Sequence, residues 1–144
     1  MFKRATFAGA AIVVSAAVLS GCGSSAGEEA ATAAYDACVK PEADTQVLVH
    51  DGSTVAIEIK GDAARALSGM EEETDALLAG DEDTSLDGMG VGLAMLMAQD
   101  CLVEETGYPG SSDQLEDGDE WDGWRYETEE GAGSEFTATF IATS

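Results

Sequence analysis

The residues best placed to do chemistry sit in one acidic run. Asp81, Asp83, Ser85 and Asp87 alternate along the chain. The first ligands of a twelve-residue calcium loop do the same, with oxygens at positions 1, 3, 5 and 7 converging on one cation. Such a loop also wants Gly at position 6 and a bidentate Glu at position 12, where this chain has Leu86 and Gly92. Asp81, Asp83 and Asp87 are therefore the metal-site candidate, set against the plainer reading of a solvated acidic loop. Asp117, Asp119 and Asp122 form a second, looser cluster. Hydrolysis by a side-chain nucleophile needs a base beside it, and the single histidine, His50, falls at a turn. Gly23, Ser25 and Gly27 match the G-x-S-x-G pattern, which means something only on a strand-to-helix turn; here it lies in a Gly/Ser run. Gly88, Gly90 and Gly92 are spaced G-x-G-x-G with no strand before them, which suits helix entry and close packing better than a nucleotide loop. These residues predict neither an enzyme nor a cofactor.

The elements around them begin with a basic end, Lys3-Arg4, and an uncharged apolar stretch from Ala5 to Leu19. This is the layout of a secretory signal peptide, and it is too short for the roughly 20 residues that a bilayer span requires. It ends in Leu19-Ser20-Gly21-Cys22. Those four residues resemble the lipobox of bacterial lipoproteins. The resemblance covers the first 22 residues and implies cleavage before Cys22, a diacylglyceryl group on its thiol, and often an acyl group on its new amine. It implies a protein held on the extracytoplasmic face of the cell membrane by its lipid, with residues 1–21 as signal, 22–27 as lipidated cysteine and flexible tether, and 28–144 as one domain.

Removing residues 1–21 from the 144 leaves 123 residues, enough for one domain. Lys3 and Arg4 leave with the signal. Four cations (Lys40, Lys60, Arg65 and Arg125) then face 29 acids, a formal charge of −25 against −23 for the whole chain. A surface of that charge repels phosphate backbones, so nucleic acid is not expected as a partner. It repels anionic headgroups too, so the membrane is reached through the anchor alone. Cation attraction and simple solvation both fit such a charge. Cys38 and Cys101 remain beside Cys22. An even pair in an oxidising compartment predicts a disulfide, closing a loop worth about 4 kcal/mol in the chain-entropy account. A metal-binding or reactive pair would want a histidine nearby, and none is near in sequence.

Glu28 to Val39 is rich in Ala and Glu and predicts a helix stopped by Pro41. Thr45 to Lys60 predicts a hairpin. A two-residue Asp51-Gly52 turn would set Leu48 opposite Val55 and split the valines from the isoleucines. A three-residue loop, His50-Asp51-Gly52, pairs Val47 with Val55 and Val49 with Ser53 and puts Val47, Val49, Val55, Ile57 and Ile59 on one face; this is the expected register. It leaves His50 at the tip. Asp62 can cap a helix from Ala63 to Leu78, bent at Ser68-Gly69, whose Glu71, Glu72, Glu73 and Asp75 read as a wet face. Met89 to Val103, with Leu93 to Ala98 apolar without a break, predicts a core helix buried all round. After a turn at Gly107 to Gly110, Trp124, Tyr126 and Thr128 alternate, as do Phe136, Ala138 and Phe140. A loop from Glu129 to Gly133 would pair Tyr126 with Phe136 and Trp124 with Ala138.

A second likeness runs from Cys101 through Gly107-x-Pro109 and Ser112 to Trp121-Asp122-Gly123-Trp124-x-Tyr126 and Gly131. This order is similar to the C-terminal part of small actinobacterial lipoproteins, over about 40 residues, without the His-Pro often found after the tyrosine. It carries no function with it. The expected fold is α+β: a four-stranded antiparallel sheet from two hairpins, helices on one face, one disulfide. The expected role is a non-catalytic binding or envelope-interaction module whose partner is an envelope protein or a small ligand, with a calcium-binding surface lipoprotein as the alternative and an envelope hydrolase third. Cys22→Ala tests the anchor. The variant should leave the membrane fraction or accumulate as uncleaved precursor, because stable anchoring takes two or more chains; equal lipid labelling of parent and variant would refute it.

Overall fold

The computed structural model describes residues 25–40 and 46–143. The signal stretch, Cys22, Gly23 and Pro41 lie outside the described residues. The order is α1 (Ala26–Cys38), β1 (Leu48–Asp51), β2 (Thr54–Ile59), α2 (Gly61–Ser68), α3 (Met70–Leu78), α4 (Asp87–Thr106), a 3-10 turn at Ser112–Gln114, β3 (Glu120–Trp121), β4 (Trp124–Glu130) and β5 (Phe136–Ala142). The class is α+β, as expected. The sheet has five antiparallel strands, not four, in the order β1-β2-β5-β4-β3. The extra strand comes from Asp122-Gly123, a turn signal between two tryptophans: Gly123 takes a φ of 78° and Trp121 pairs with Trp124.

α1 starts at Ala26, two residues before the expected Glu28, so the tether does not reach Gly27. Ser25 is the N-cap. Its Oγ accepts from the Glu28 N–H, and the Glu28 carboxylate accepts from the Ser25 N–H, a reciprocal capping box. The Ser25 hydroxyl is thus engaged in a helix cap rather than free as a nucleophile. Gly27, Ala31, Ala34 and Cys38 recur at helical spacing and are buried. Small residues let α1 lie close on the sheet; a Cβ on Gly27 would stand 3.1 Å from the Ala142 carbonyl oxygen.

The first hairpin takes neither register considered from sequence. Its turn is Gly52-Ser53, with Asp51 opposite Thr54, His50 opposite Val55 and Leu48 opposite Ile57. Gly52 has a φ of 56° and Ser53 does not have a positive φ, the pattern of a two-residue loop that starts with Gly. The shift turns Leu48 and His50 to the helix side and Val49 outward. Val47, one residue before β1, is buried, and its carbonyl accepts from the Glu58 N–H at 2.8 Å.

The second hairpin pairs Tyr126 with Phe140, Trp124 with Ala142 and Glu130 with Phe136. Its loop runs from Gly131 to Glu135, so the pairing lies four positions beyond the expected one. The offset is even, so Trp124, Tyr126, Phe136, Ala138 and Phe140 still share a face. That face, with Val55, Ile57 and Ile59, joins α1 and α4 in one core. Tyr126 and Trp121 meet Phe140 edge to face.

The long helix expected over Ala63–Leu78 is interrupted at Gly69. Asp62 does not cap it: α2 starts at Gly61, and Asp62 pairs with Arg65 at 2.7 Å. Gly88 is where α4 meets α2. A Cβ there would lie 2.2 Å from the Ala66 carbonyl oxygen, so only glycine fits. The Cys38–Cys101 disulfide is present, with Cα atoms 5.7 Å apart, and links the end of α1 to α4. Cys38→Ser and Cys101→Ser should each destabilise the domain by about 2–5 kcal/mol in denaturant titrations. The double variant should be little worse than either single one; free thiols in the unreduced protein would contradict the bridge.

Candidate functional site

α4 carries the feature that the sequence pattern misjudged. Its apolar run is not buried all round. Val91, Ala98, Leu102 and Val103 face the core, while Leu93 is 60% exposed, Leu96 55% and Met97 48%. Met89 and Leu86 continue the strip. At 100° per residue Met89, Leu93, Leu96 and Met97 share one side of the helix, with Leu86 just before its start and Asp100 and Glu104 extending the same line toward its C-terminus. An uninterrupted apolar run cannot reveal by itself which side meets protein; the neighbours decide.

Beside this strip lies a cavity of about 210 Å³. Its floor is Cys38, Val47, Leu48, Ala94 and Ala98, and Leu93 and Met97 stand over it, with Lys40 and Gln46 at the edge. Three elements make it: the end of α1, the start of β1, and α4. The disulfide fixes the first against the third. The Gly52-Ser53 register supplies the second, since it brings Leu48 to the inner side. Gln46 Nε2 donates to the Lys40 carbonyl across the floor's entrance. A second, more open hollow adjoins at Gln46 and Gly90 and is bordered by Leu86, Val91, Asp62 and Asp87. Together they form a groove along α4, apolar at its middle and acidic at the helix's N-terminal end. Gly90 lies between them, and a Cβ there would meet nothing within 4 Å.

The groove depends on how α4 begins. Leu86 at its N-cap offers no side-chain acceptor. Glu73, from α3, reaches across: Oε1 accepts from Gly88 N–H at 3.0 Å and Oε2 from Met89 N–H at 3.2 Å. A carboxylate is favoured at a helix N-terminus by both hydrogen bonding and the dipole. Glu73 is therefore a structural residue inside a band that looked merely wet, and no sequence signal marks it, because the contact is tertiary.

The expected calcium ligands do not come together. Asp81 Oδ1 accepts from the Asp83 N–H and Ser85 Oγ from the Asp87 N–H, so they fold the loop upon itself. Among the described residues no group of three or more His, Cys, Asp or Glu side chains is arranged to hold a metal ion. Asp117 and Asp119 are also occupied. Asp117 Oδ1 accepts from Thr128 N–H; Asp119 Oδ2 accepts from Glu116 N–H and from the Tyr108 hydroxyl. Desolvation, then Asp119, raise the Tyr108 phenol above its ordinary value, and burial, then Asp117, do the same for Tyr126.

His50 lies in β1 rather than at a tip. It remains exposed and stacks on Tyr35 at 5.4 Å. Its Nε2 is 3.1 Å from the Gly52 carbonyl oxygen and 3.3 Å from Thr32 Oγ1. A carbonyl only accepts, so Nε2 carries the proton in that bond and is no base for Thr32, whose hydroxyl donates to the Glu28 carbonyl. The pair is a structural contact and not a nucleophile with its base.

No protein-family model, curated protein or solved structure matches the chain. No described helix is long and apolar enough to cross a membrane. Glu73→Ala should cost about 1–2 kcal/mol in denaturant titrations, the usual value of a helix cap, and Glu73→Gln should recover part of it through its amide oxygen. A change within 0.3 kcal/mol on the alanine substitution would show that α4 does not need this cap.

Proposed function

We propose that this chain is a lipid-anchored, extracytoplasmic, non-catalytic binding module that takes its partner on the groove along α4. One observation carries the reading: the helix leaves Leu93, Leu96 and Met97 exposed beside a cavity floored by buried apolar side chains. Burying one such side chain stabilises a complex by about 1.5–3 kcal/mol, so leaving several outside is costly unless something covers them. Scattered exposed leucines need no explanation, but a contiguous strip beside a hollow marks an interaction site. Anchoring rests on the lipobox-like Leu19-Ser20-Gly21-Cys22. The non-catalytic reading rests on His50, the single imidazole, being tied to Gly52 and Tyr35.

A photo-crosslinking amino acid at Leu93 tests the site, with the same group at Glu127 on the opposite face of the sheet as the reference. Discrete adducts from position 93 in intact cells, absent from position 127, are expected. Leu93→Ser should suppress partner binding while moving stability by less than about 0.5 kcal/mol, as exposed substitutions do. Equal adduct patterns from both positions, or a melting transition lost on Leu93→Ser, would remove the groove as the binding surface.

A further inference from the structure

Building on the groove reading, we infer that its occupant is a cationic amphipathic helix: a peptide segment with an apolar stripe and Lys or Arg near both ends. The apolar part follows from the shape. Met89, Leu93, Leu96 and Met97 are all exposed on one side of α4, and apolar residues at i, i+3, i+4 and i+7 of a second helix pack against such a row. The charge follows from what stands at each end. Asp87 borders the groove at the N-terminal end of α4, beside the Asp62–Arg65 pair, and Asp100, whose Oδ1 accepts from the Ser112 hydroxyl, and Glu104 continue its exposed line at the other. Asp87 and Asp100 are thirteen residues apart on α4, about 20 Å at 1.5 Å per residue. Basic groups with that separation would meet both ends while the stripe lies between them.

Two of the protein's own cations stand at the groove, Arg65 on Asp62 and Lys40 at the cavity edge, which leaves Asp87, Asp100 and Glu104 for an incoming basic group. Three of the four in the mature chain are held in ion pairs: Lys60 with Glu58, Arg65 with Asp62, Arg125 with Glu127. Lys40 is the fourth, at the edge of the cavity. Other occupants fit less well. A second copy would bring another −25 charges to an acidic rim, and an anionic bilayer would be repelled in the same way. The chain's own first residues, Lys3-Arg4 followed by an apolar stretch, share the chemistry in the precursor but are removed where the lipobox is processed.

The test uses an 18-residue synthetic helix with Leu at the four stripe positions and Lys at both ends. Two relatives accompany it: one with Glu at the ends, one with the same composition scrambled to destroy the stripe. Binding is followed by fluorescence anisotropy to the processed full chain in detergent and to the precursor. Micromolar binding of the Lys-ended helix is expected, at least tenfold tighter than either relative. Leu93→Ser with Met97→Ser should weaken it at least tenfold, and Asp100→Asn with Glu104→Gln about threefold, each with an unchanged melting temperature. Affinity should fall as salt rises from 50 mM to 500 mM. Equal affinity for the scrambled peptide would show mere attraction to a polyanion and overturn the inference. Equal affinity for the Glu-ended helix would overturn the charge rule and leave the apolar groove intact. Sedimentation with phosphatidylglycerol vesicles that is lost in the Leu93→Ser, Met97→Ser variant would give the groove to lipid instead. Binding to the precursor alone being blocked supports the assignment; concentration-dependent dimers that compete with the peptide refute it.

Discussion

One covalent link sets the geometry on which everything else rests. The Cys38–Cys101 bridge joins the last turn of α1 to the C-terminal part of α4, and these two helices are the cover of the sheet's inner face. The domain has a small core and a large excess of negative charge, two conditions that both work against a compact state. A crosslink that shortens the unfolded chain offsets them without requiring more buried surface. It also fixes the spacing between the helices. Cys38 itself floors the cavity beside Leu93 and Met97, so the same bond that holds the cover also holds the groove open to a set width.

The elements legible in the sequence were those whose information is local. The Ala/Glu run made α1, and the two aromatic alternations made β4 and β5 with the expected side turned inward. The cysteines paired as an even count in an oxidising setting implies. What was not legible was set by partners distant in the chain. Val47 and Val49 look like a face, yet the turn placed Gly52 first and Ser53 second, and in a four-residue edge strand the turn alone decides parity. Asp62 looks like a cap, but α2 begins at Gly61, two residues before the expected Ala63, with Lys60 at the N-cap. Glu73 looks solvated, but α3 and α4 meet so that it closes the N-terminus of α4.

The candidate site divides in the same way. The acidic alternation at Asp81, Asp83 and Asp87 carried the strongest pattern and the least geometry, because Asp81 and Ser85 accept from the N–H groups two residues on. The apolar run of α4 carried a misleading pattern. A helix without a polar side is usually enclosed, and here one side is not. Periodicity could not separate the two cases, since Leu93 and Leu102 are the same residue type in one helix, one exposed and the other fully buried. The packing of α1 and α2 against one side of α4 distinguishes them.

The two margins of the sheet lead to a last point. β1 has four residues and β3 has two, so each open margin offers few N–H and C=O groups to a neighbouring strand. The outward face beside them carries Glu58, Glu127 and Glu129. A lateral addition would pair little backbone and bring carboxylates together. This sheet ends in stubs, so a second copy finds little margin along which to extend it.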